Sequence, residues 1–350
     1  MKQAGAERIL VRVPNWIGDA VMSLPALVCL KRHLPEGSIT VLAKDKVVPV
    51  FEALDRGLPI LRYDDRGVHR GIGGLLRLKE ELKREGFSAA LLFQNGFEAA
   101  LVARLAGIKK RVGYARHMRG PLLTDPLKVT DEVNRRHQVY YYLEIVRRFG
   151  LDVPDRVDAY PELHVDASLD GLLPEGEQPI LGLSIGASYG PAKRWKMEGF
   201  KEVAERLAKE YGMQPVIFGG KEDVEGAERL KSMLEVESIN LAGRIGLKEF
   251  IGALKRVTLF LTNDSGPMHL AAATGTRVVA LFLSTEPVLT APLGRATAYL
   301  ASPVECRPCF RRTCPVGDYR CMDAITVDDV YRKCVELLER DEKRYSSISR

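Results

Sequence analysis

The sequence predicts an α/β protein made of two doubly wound halves. Apolar runs of strand length alternate with stretches of helical period along most of the 350 residues. This alternation favours parallel sheets with helices on both faces. It stops between Pro154 and Pro179, where Pro, Gly and acidic residues accumulate, and then resumes, which indicates an interdomain connection. A chain of this length can bury two separate cores.

In the first half, short apolar runs predict strands and longer amphipathic stretches predict helices. The first strand is an apolar run at 8–13, and Gly18 begins a helix that reaches about His33. Leucines near helical spacing predict the helix at 71–86, and the helix at 138–149 carries three consecutive tyrosines. The other strands are expected at 38–43, 58–62, 88–93 and 111–114, with a further helix at 98–106.

The second half repeats the pattern. A short apolar run with β-branched ends at 258–262 predicts a buried strand. The residues 263–266 are of turn and N-cap type, Pro267 suits a first helical turn, and Gly275 ends the short helix. Strands are expected at 180–184, 214–218, 238–240, 258–262 and 277–282, and helices at 197–211, 223–235, 247–255, 267–274 and 326–340.

Composition excludes several classes of protein. The chain is 46% hydrophobic and 28% charged, as soluble globular proteins are. No apolar run approaches the roughly 20 residues that span a bilayer, and the N-terminus lacks a signal-peptide core, so we expect a cytoplasmic protein. There is no G-x-G-x-x-G after the first strand, no Walker loop and no G-x-S-x-G elbow, which disfavours dehydrogenases, P-loop enzymes and α/β-hydrolases.

Charge is distributed unevenly along the chain. Residues 1–160 contain 27 Lys and Arg against 19 Asp and Glu, whereas the remaining residues contain 25 against 27. The first half is therefore the half expected to meet an anionic partner or a membrane surface. A surface that only keeps the protein soluble is the alternative, and charge alone does not separate the two. We expect no nucleic-acid partner.

Three loop motifs carry a resemblance to a known family. They are P-N-W-I-G-D-A-V-M-S-L-P-A-L (Pro14–Leu27), G-A-S-Y-G-P-A-K-R-W (Gly186–Trp195) and N-D-S-G-P-M-H (Asn263–His269). Together they resemble the bacterial lipopolysaccharide ADP-heptose heptosyltransferases, and most closely the heptosyltransferase II subfamily, which the segment 94–108 also resembles. The resemblance runs from Ile9 to about residue 300, and it implies two Rossmann-like domains facing a cleft, the GT-B glycosyltransferase fold.

The resemblance also implies a function. An inverting transferase would move L-glycero-D-manno-heptose from ADP-heptose to the heptose of the lipopolysaccharide inner core. Residues 1–160 would bind the anionic core acceptor, 161–178 would be a linker, and 179–325 would bind the nucleotide sugar. The last helix, 326–345, would pack back onto the first domain. The enzyme would need no cofactor and would work peripherally at the cytoplasmic face of the inner membrane.

Three alternatives to this function stay open. They are a heptosyltransferase I, a related transferase acting on another core acceptor, and a non-catalytic protein that binds a sugar nucleotide.

Two residues are candidates for catalysis. Asp19 follows a glycine just after the first strand, where a carboxylate can take the proton of an acceptor hydroxyl. The matching position is the base in the resembled family, although an Asp that only favours the helix dipole is the alternative. Lys193 lies in a turn after a strand, where a fixed cation would stabilise the charge growing on a departing diphosphate. A solvated lysine is the alternative there.

Further donor-binding residues are implied by the resemblance. The Asp264 carboxylate would hold a sugar hydroxyl, and the backbone amides after it would meet the diphosphate. His269 is either a ligand or a packed helical histidine, and Glu222 matches, within one residue, a region that meets the ribose. The donor set is Gly186, Ser188, Tyr189, Lys193, Glu222, Arg244, Ile245, Asp264, Ser265, Gly266 and His269, with Arg244 and Ile245 covering the adenine.

Arginines of the first domain are candidates for acceptor binding. Arginine suits bidentate recognition of phosphate, and the implied acceptor is anionic. Arg116 and Arg119 are the predicted acceptor contacts.

Four cysteines near the end of the chain form a spaced cluster. The pattern is C-x2-C-x4-C-x6-C, and its first pair has the spacing of metal ligands. A structural disulfide or free thiols are favoured over zinc, so no metal site is predicted. The cysteines are Cys306, Cys309, Cys314 and Cys321.

Overall fold

The chain divides into two compact units, Met1–Val157 and Asp158–Arg350. The computed structural model describes residues 8–174 and 176–348, with side chains described as far as residue 340. Each unit contains one parallel six-stranded sheet with helices packed on it. The predicted α/β fold with two Rossmann-like domains is confirmed.

In the first unit, the strands that are buried along their whole length lie inside the sheet. Its strands are β1 (Ile9–Arg12), β2 (Ile39–Ala43), β3 (Ile60–Arg62), β4 (Ala89–Leu92), β5 (Lys110–Tyr114) and β6 (Asp125–Leu127). Its helices are α1 (Ile17–Met22), α2 (Leu24–His33), α3 (Val48–Leu54), α4 (Gly71–Glu85), α5 (Phe97–Leu105), α6 (Asp131–Arg135) and α7 (Gln138–Phe149). The strand order is β3-β2-β1-β4-β5-β6, so the order reverses between β1 and β4.

The second unit repeats this topology. Its strands are β7 (Ile180–Ser184), β8 (Gln214–Ile217), β9 (Ile239–Asn240), β10 (Leu259–Asn263), β11 (Arg277–Phe282) and β12 (Thr297–Ala301). Its helices are α8 (Met197–Tyr211), α9 (Val224–Met233), α10 (Leu247–Leu254), α11 (Gly266–Ala273), α12 (Pro287–Thr290), α13 (Arg320–Asp323) and α14 (Val327–Ile348). The strand order is β12-β11-β10-β7-β8-β9, and the reversal falls between β7 and β10.

Burial explains why the central strands are continuous apolar runs. Every residue of β1, β2, β4, β7 and β10 is buried, as expected for parallel strands covered on both faces. Helix α8 contributes Phe200, Val203 and Leu207 to the core of the second unit, at helical spacing. Each such side chain stabilises the fold by about 1.5–3 kcal/mol relative to an exposed one.

One predicted helix differs from the structure, and six elements were not predicted. The helix expected from Gly18 to His33 is two helices, because Ser23 ends α1 and Pro25, which has no N–H, lies in the first turn of α2. The sequence analysis missed α3, the short helices α6, α12 and α13, and the edge strands β6 and β12. Strand β6 contains Pro126, which an edge strand tolerates but which weakens the sequence signal for any strand.

The predicted linker and the last helix both contact the second unit. Residues 161–174 and 176–178 contain no helix or strand, as a connection should, but Leu163 is buried and donates its N–H to the Ala273 carbonyl at 2.9 Å. Helix α14 buries Val330, Cys334 and Leu337 in the core of the second unit. Its predicted return to the first domain stays a prediction. Among the described residues, no helix has both the length and the apolarity to cross a bilayer.

Candidate active site

The second unit forms its site where the strand order reverses. In doubly wound sheets, ligands bind beyond the carboxyl ends of the two strands on either side of that point. Here those strands are β7 and β10, and each is followed by one of the motif loops, 185–195 and 263–266. The topology therefore brings together two loops that are far apart in sequence.

An ion pair joins the two loops. The Lys193 ammonium donates to Asp264 Oδ2 at 2.6 Å, and the two side chains are only 15% and 4% exposed. Thr285, in the loop after β11, donates its hydroxyl to the same carboxylate oxygen. Because a carboxylate has several lone pairs, Asp264 can hold both partners and still accept a further hydroxyl. The predicted catalytic lysine and donor-binding aspartate are thus direct neighbours.

Asn263 fixes the backbone on both sides of this ion pair. It is fully buried, accepts the Trp195 N–H at 2.9 Å and donates to the Ile185 carbonyl at 2.8 Å. Trp195 itself is buried and donates its ring N–H to the carbonyls of Met322 and Ile325. One side-chain amide therefore ties both ends of the first loop to β10.

The predicted ribose region lies beside the first loop. Ser188 donates to Glu222 Oε1 at 3.4 Å, and both residues are exposed. The neighbouring Asp223 packs under Gly186, where an added Cβ would lie 2.3 Å from its Oδ1, so a larger residue at this position would displace the Asp223 carboxylate. Burial raises the pKa of the Asp223 carboxyl. Of these two adjacent acidic residues, Glu222 faces solvent and Asp223 packs against the first loop.

The predicted adenine-covering residues follow β9. Gly243 donates its N–H to the Gly219 carbonyl at 3.0 Å, so the turn that carries Arg244 and Ile245 lies against the loop after β8. Arg244 is exposed, with its guanidinium 3.7 Å from Glu228. The structure brings these residues to the same edge of the sheet as Glu222 but does not bring them into contact with the ion pair.

Helix α11 begins two residues after Asp264. Ser265 is its N-cap position and Pro267 lies in its first turn, so one residue separates the helix N-terminus from Asp264 in the chain. A helix N-terminus attracts negative charge. His269 is 3% exposed, and its Nδ1 lies 2.7 Å from the Tyr160 hydroxyl. This contact favours the packed role for His269, and a direct ligand role stays a prediction.

In the first unit, Asp19 lies in the first turn of α1, just beyond the carboxyl end of β1. Tyr142, on α7, donates its hydroxyl to Asp19 Oδ1 at 3.2 Å. Tyr142 is buried, and burial together with the charge of Asp19 raises the pKa of this phenol well above its ordinary value. The phenol therefore stays protonated and orients the carboxylate, as a base in a catalytic position requires.

Known proteins resemble this chain over most of its length. The model of glycosyltransferase family 9 (heptosyltransferase) matches residues 75–320. Lipopolysaccharide heptosyltransferase 2 of Salmonella typhimurium is 31% identical over 300 residues, which cover 82% of this chain and 85% of that protein. The chain belongs to glycosyltransferase family 9.

Two further relatives extend the likeness to almost the whole chain. Lipooligosaccharide heptosyltransferase 2 of Campylobacter jejuni is 27% identical over 340 residues, 95% of this chain and 98% of that protein. The solved structure of E. coli ADP-heptose lps heptosyltransferase II has a TM-score of 0.82 at 28% identity, over 96% of this chain and 99% of that chain. The predicted family resemblance and the predicted enzyme class, a glycosyltransferase, are confirmed.

The two predicted acceptor arginines of this family 9 enzyme have different environments. Arg116 is exposed after β5, and its side chain hydrogen-bonds Tyr141. Arg119 is fully buried, and its guanidinium donates to the carbonyls of Tyr114, Gln94 and Leu92 and to Asn95 Oδ1. Because its donors are used inside the unit, Arg119 positions the loops after β4 and β5. Its direct contact with an acceptor stays a prediction.

The cysteine segment packs against the donor loop. Tyr189 donates its hydroxyl to the Phe310 carbonyl at 2.7 Å, and Ala192 donates its N–H to the Arg312 carbonyl at 3.0 Å. Arg307 donates to the carbonyl of Thr285 at 3.1 Å. The segment therefore supports both sides of the ion pair. All six cysteines are free in the structure, and among the described residues no group of three or more potential ligands is arranged to hold a metal.

Sequence reasoning missed four residues that shape this site. Each of them contacts a predicted site residue or site loop that is distant in the sequence. A local motif does not reveal such a contact. Only Asn263 lies within a recognised motif, where its type was interpreted as a turn former. The four are Asn263, Thr285, Tyr142 and Tyr160.

Proposed function

We propose that this family 9 glycosyltransferase moves heptose from ADP-heptose to the heptose of the lipopolysaccharide inner core, as a heptosyltransferase II. The observation that carries the donor half of the proposal is the Lys193–Asp264 pair at the point where the strand order reverses. An anionic diphosphate suits a lysine beside a helix N-terminus, and a sugar hydroxyl suits a buried carboxylate. The names of the heptosyltransferase 2 relatives support the choice of sugar and acceptor.

The reaction needs a base and a stabilised leaving group. The Asp19 carboxylate takes the proton of the acceptor hydroxyl. At the same time, the oxygen of that hydroxyl bonds to the anomeric carbon of the heptose. The bond between that carbon and the diphosphate breaks, and ADP departs with the electron pair. Lys193 and the N-terminus of α11 stabilise the charge on ADP, which is the role a divalent metal has in other transferases. Attack from the face opposite the leaving group inverts the anomeric configuration.

We also propose that the enzyme is cytoplasmic and contacts the inner face of the membrane peripherally. The surplus of basic residues in 1–160 supports this, because the cytoplasmic leaflet is anionic.

The decisive test is transfer measured by mass spectrometry. Purified protein is incubated with ADP-heptose and either a heptose-free or a one-heptose core acceptor. We expect one added heptose on the one-heptose acceptor only. Elongation of the heptose-free acceptor alone would assign the enzyme as a heptosyltransferase I. Donor binding without transfer to any core acceptor would favour a non-catalytic binding protein.

Asp19→Ala tests the proposed base. This variant should lose transfer while its affinity for ADP-heptose stays within a few-fold of wild type. Asp131→Ala is the matched control, since Asp131 also lies in the first turn of a helix but is exposed. If Asp19→Ala turned over at the wild-type rate, the helix-dipole role would be the better account of this carboxylate.

A further inference from the structure

A row of apolar side chains on the first unit is exposed to solvent. Ile72 and Leu76 are four residues apart in α4 and so lie on one helix face, and Val68 precedes them in the turn that leads into this helix. Ile72 is 81% exposed, Leu76 is 51% exposed and Val68 is 53% exposed. Leu78 and Leu82 of the same helix are buried and anchor it to the core. We call Val68, Ile72 and Leu76 the α4 stripe.

The α4 stripe lies within a basic segment. Residues 66–79 contain four basic residues and no acidic residue. Arg66, Arg70 and Arg77 are exposed beside the stripe. The acidic residues that follow in the helix are already engaged, Glu80 by Lys79 and Glu81 by the buried His69. An apolar row flanked by exposed arginines is the composition of elements that lie in the headgroup region of anionic membranes.

The position of the stripe in the fold agrees with such a contact. The turn that carries Val68 follows the carboxyl end of β3, and Asp19 follows the carboxyl end of β1. Because β1, β2 and β3 are parallel and adjacent, these ends lie at the same edge of the sheet. The predicted base and the beginning of the α4 stripe therefore share one edge of the first unit.

We propose that the α4 stripe and its three arginines dock the first unit onto an anionic lipid bilayer. The apolar side chains enter the headgroup region, and the arginines bind lipid phosphates. The inference deepens the proposed function, since a lipid-anchored acceptor would then reach the edge of the sheet that carries Asp19. Apolar contact and charge together are enough for peripheral binding to an anionic surface.

Vesicle sedimentation of the full chain tests the apolar half of the proposal. Vesicles of phosphatidylcholine with phosphatidylglycerol should bind the wild-type protein, and pure phosphatidylcholine vesicles should bind it much less. Ile72→Ser combined with Leu76→Ser should lower the partition coefficient about tenfold or more, because apolar area drives insertion. Leu105→Ser is the matched control, since Leu105 is 50% exposed but lies at the other end of its helix, away from this edge. It should bind as the wild type does.

Replacing the three arginines by glutamine tests the charged half. Each neutralised arginine should lower binding about fivefold at low salt, the equivalent of about 1 kcal/mol per basic residue near an anionic surface. High salt should remove most of the difference between wild type and this variant. All these side chains are exposed, so thermal unfolding should not change.

Several outcomes would overturn the docking proposal. The first is that the wild-type protein does not bind anionic vesicles. The second is that the variant with both serine substitutions binds them as tightly as the wild type. The third is that Leu105→Ser loses as much binding as that variant does. Self-association that the serine variant abolishes, without vesicle binding, would instead assign the stripe to a second copy of this chain.

Heptose transfer to a delipidated acceptor should be unchanged in the serine variant. Loss of transfer in the wild type, with vesicle binding retained, would refute the proposed function but not the docking surface.

Discussion

Replacing Lys193 by methionine should destabilise the second unit as well as impair donor binding. The change leaves Asp264, which is 4% exposed, without its cationic partner, while the Thr285 hydroxyl still donates to it. Removing one partner of a buried ion pair costs about 3–5 kcal/mol. We expect the lower end, about 3 kcal/mol, because Lys193 is partly exposed and Thr285 stays in place. In a unit of this size, that loss lowers the unfolding temperature by about 6–12 °C.

A double-mutant cycle separates the ion pair from other effects of the substitution. Lys193→Met, Asp264→Asn and the double variant are compared by differential scanning calorimetry of the full chain without ligand. Because the double variant leaves no buried unpaired charge, it should recover about 2 kcal/mol relative to the sum of the single changes. ADP-heptose affinity, measured calorimetrically, should fall about 10- to 100-fold in Lys193→Met, since a charged hydrogen bond contributes about 1.5–3 kcal/mol.

Two results would refute this reasoning. A Lys193→Met protein whose unfolding temperature changes by less than about 2 °C would mean that the pair does not stabilise the fold. Strict additivity in the cycle would mean that Lys193 and Asp264 do not interact. Lys209→Met, on the outer part of α8, is the control for the loss of a lysine and should unfold as the wild type does.

Three further predictions concern the base, the leaving group and pH. Tyr142→Phe removes the hydroxyl that orients Asp19. The turnover number should fall about tenfold, because a charged hydrogen bond contributes about 1.5–3 kcal/mol and water replaces it in part. The KM for ADP-heptose should change little. Tyr140→Phe on the same helix is its control, and equal turnover in both variants would contradict the role of Tyr142. Transfer should survive chelation by EDTA, because Lys193 and a helix N-terminus supply the positive charge at the diphosphate; complete loss that Mg²⁺ restores would contradict this. Burial raises the pKa of Tyr142 and Tyr114 in the folded state. Their contribution to the free energy of unfolding should therefore be fully present below about pH 10 and decrease above it, because these tyrosines then ionise in the unfolded chain. Alkaline unfolding followed by circular dichroism measures this, and constant stability through that range would refute it.

Much of the fold could be predicted from the sequence because its signals are local. Apolar runs of strand length and amphipathic stretches of helical period alternate, and glycines, prolines and N-cap residues mark the turns between them. Lys193, Asp264 and Asp19 each lie in a short motif that follows a strand, and the family resemblance of those motifs implied the roles of Asp264 and Asp19. The edge strands β6 and β12 were missed because a half-exposed strand lacks the continuous apolar run that predicts a central one.

The contacts that make these residues a site depend on the tertiary structure. Lys193 and Asp264 are 71 residues apart and meet only because β7 lies next to β10. Tyr142 reaches Asp19 across 123 residues because α7 packs beside α1. The burial of Arg119 among backbone carbonyls of neighbouring strand ends likewise depends on packing that no local motif encodes. Local sequence determines which elements form and which residues end them, whereas strand order and helix packing decide which of those residues touch.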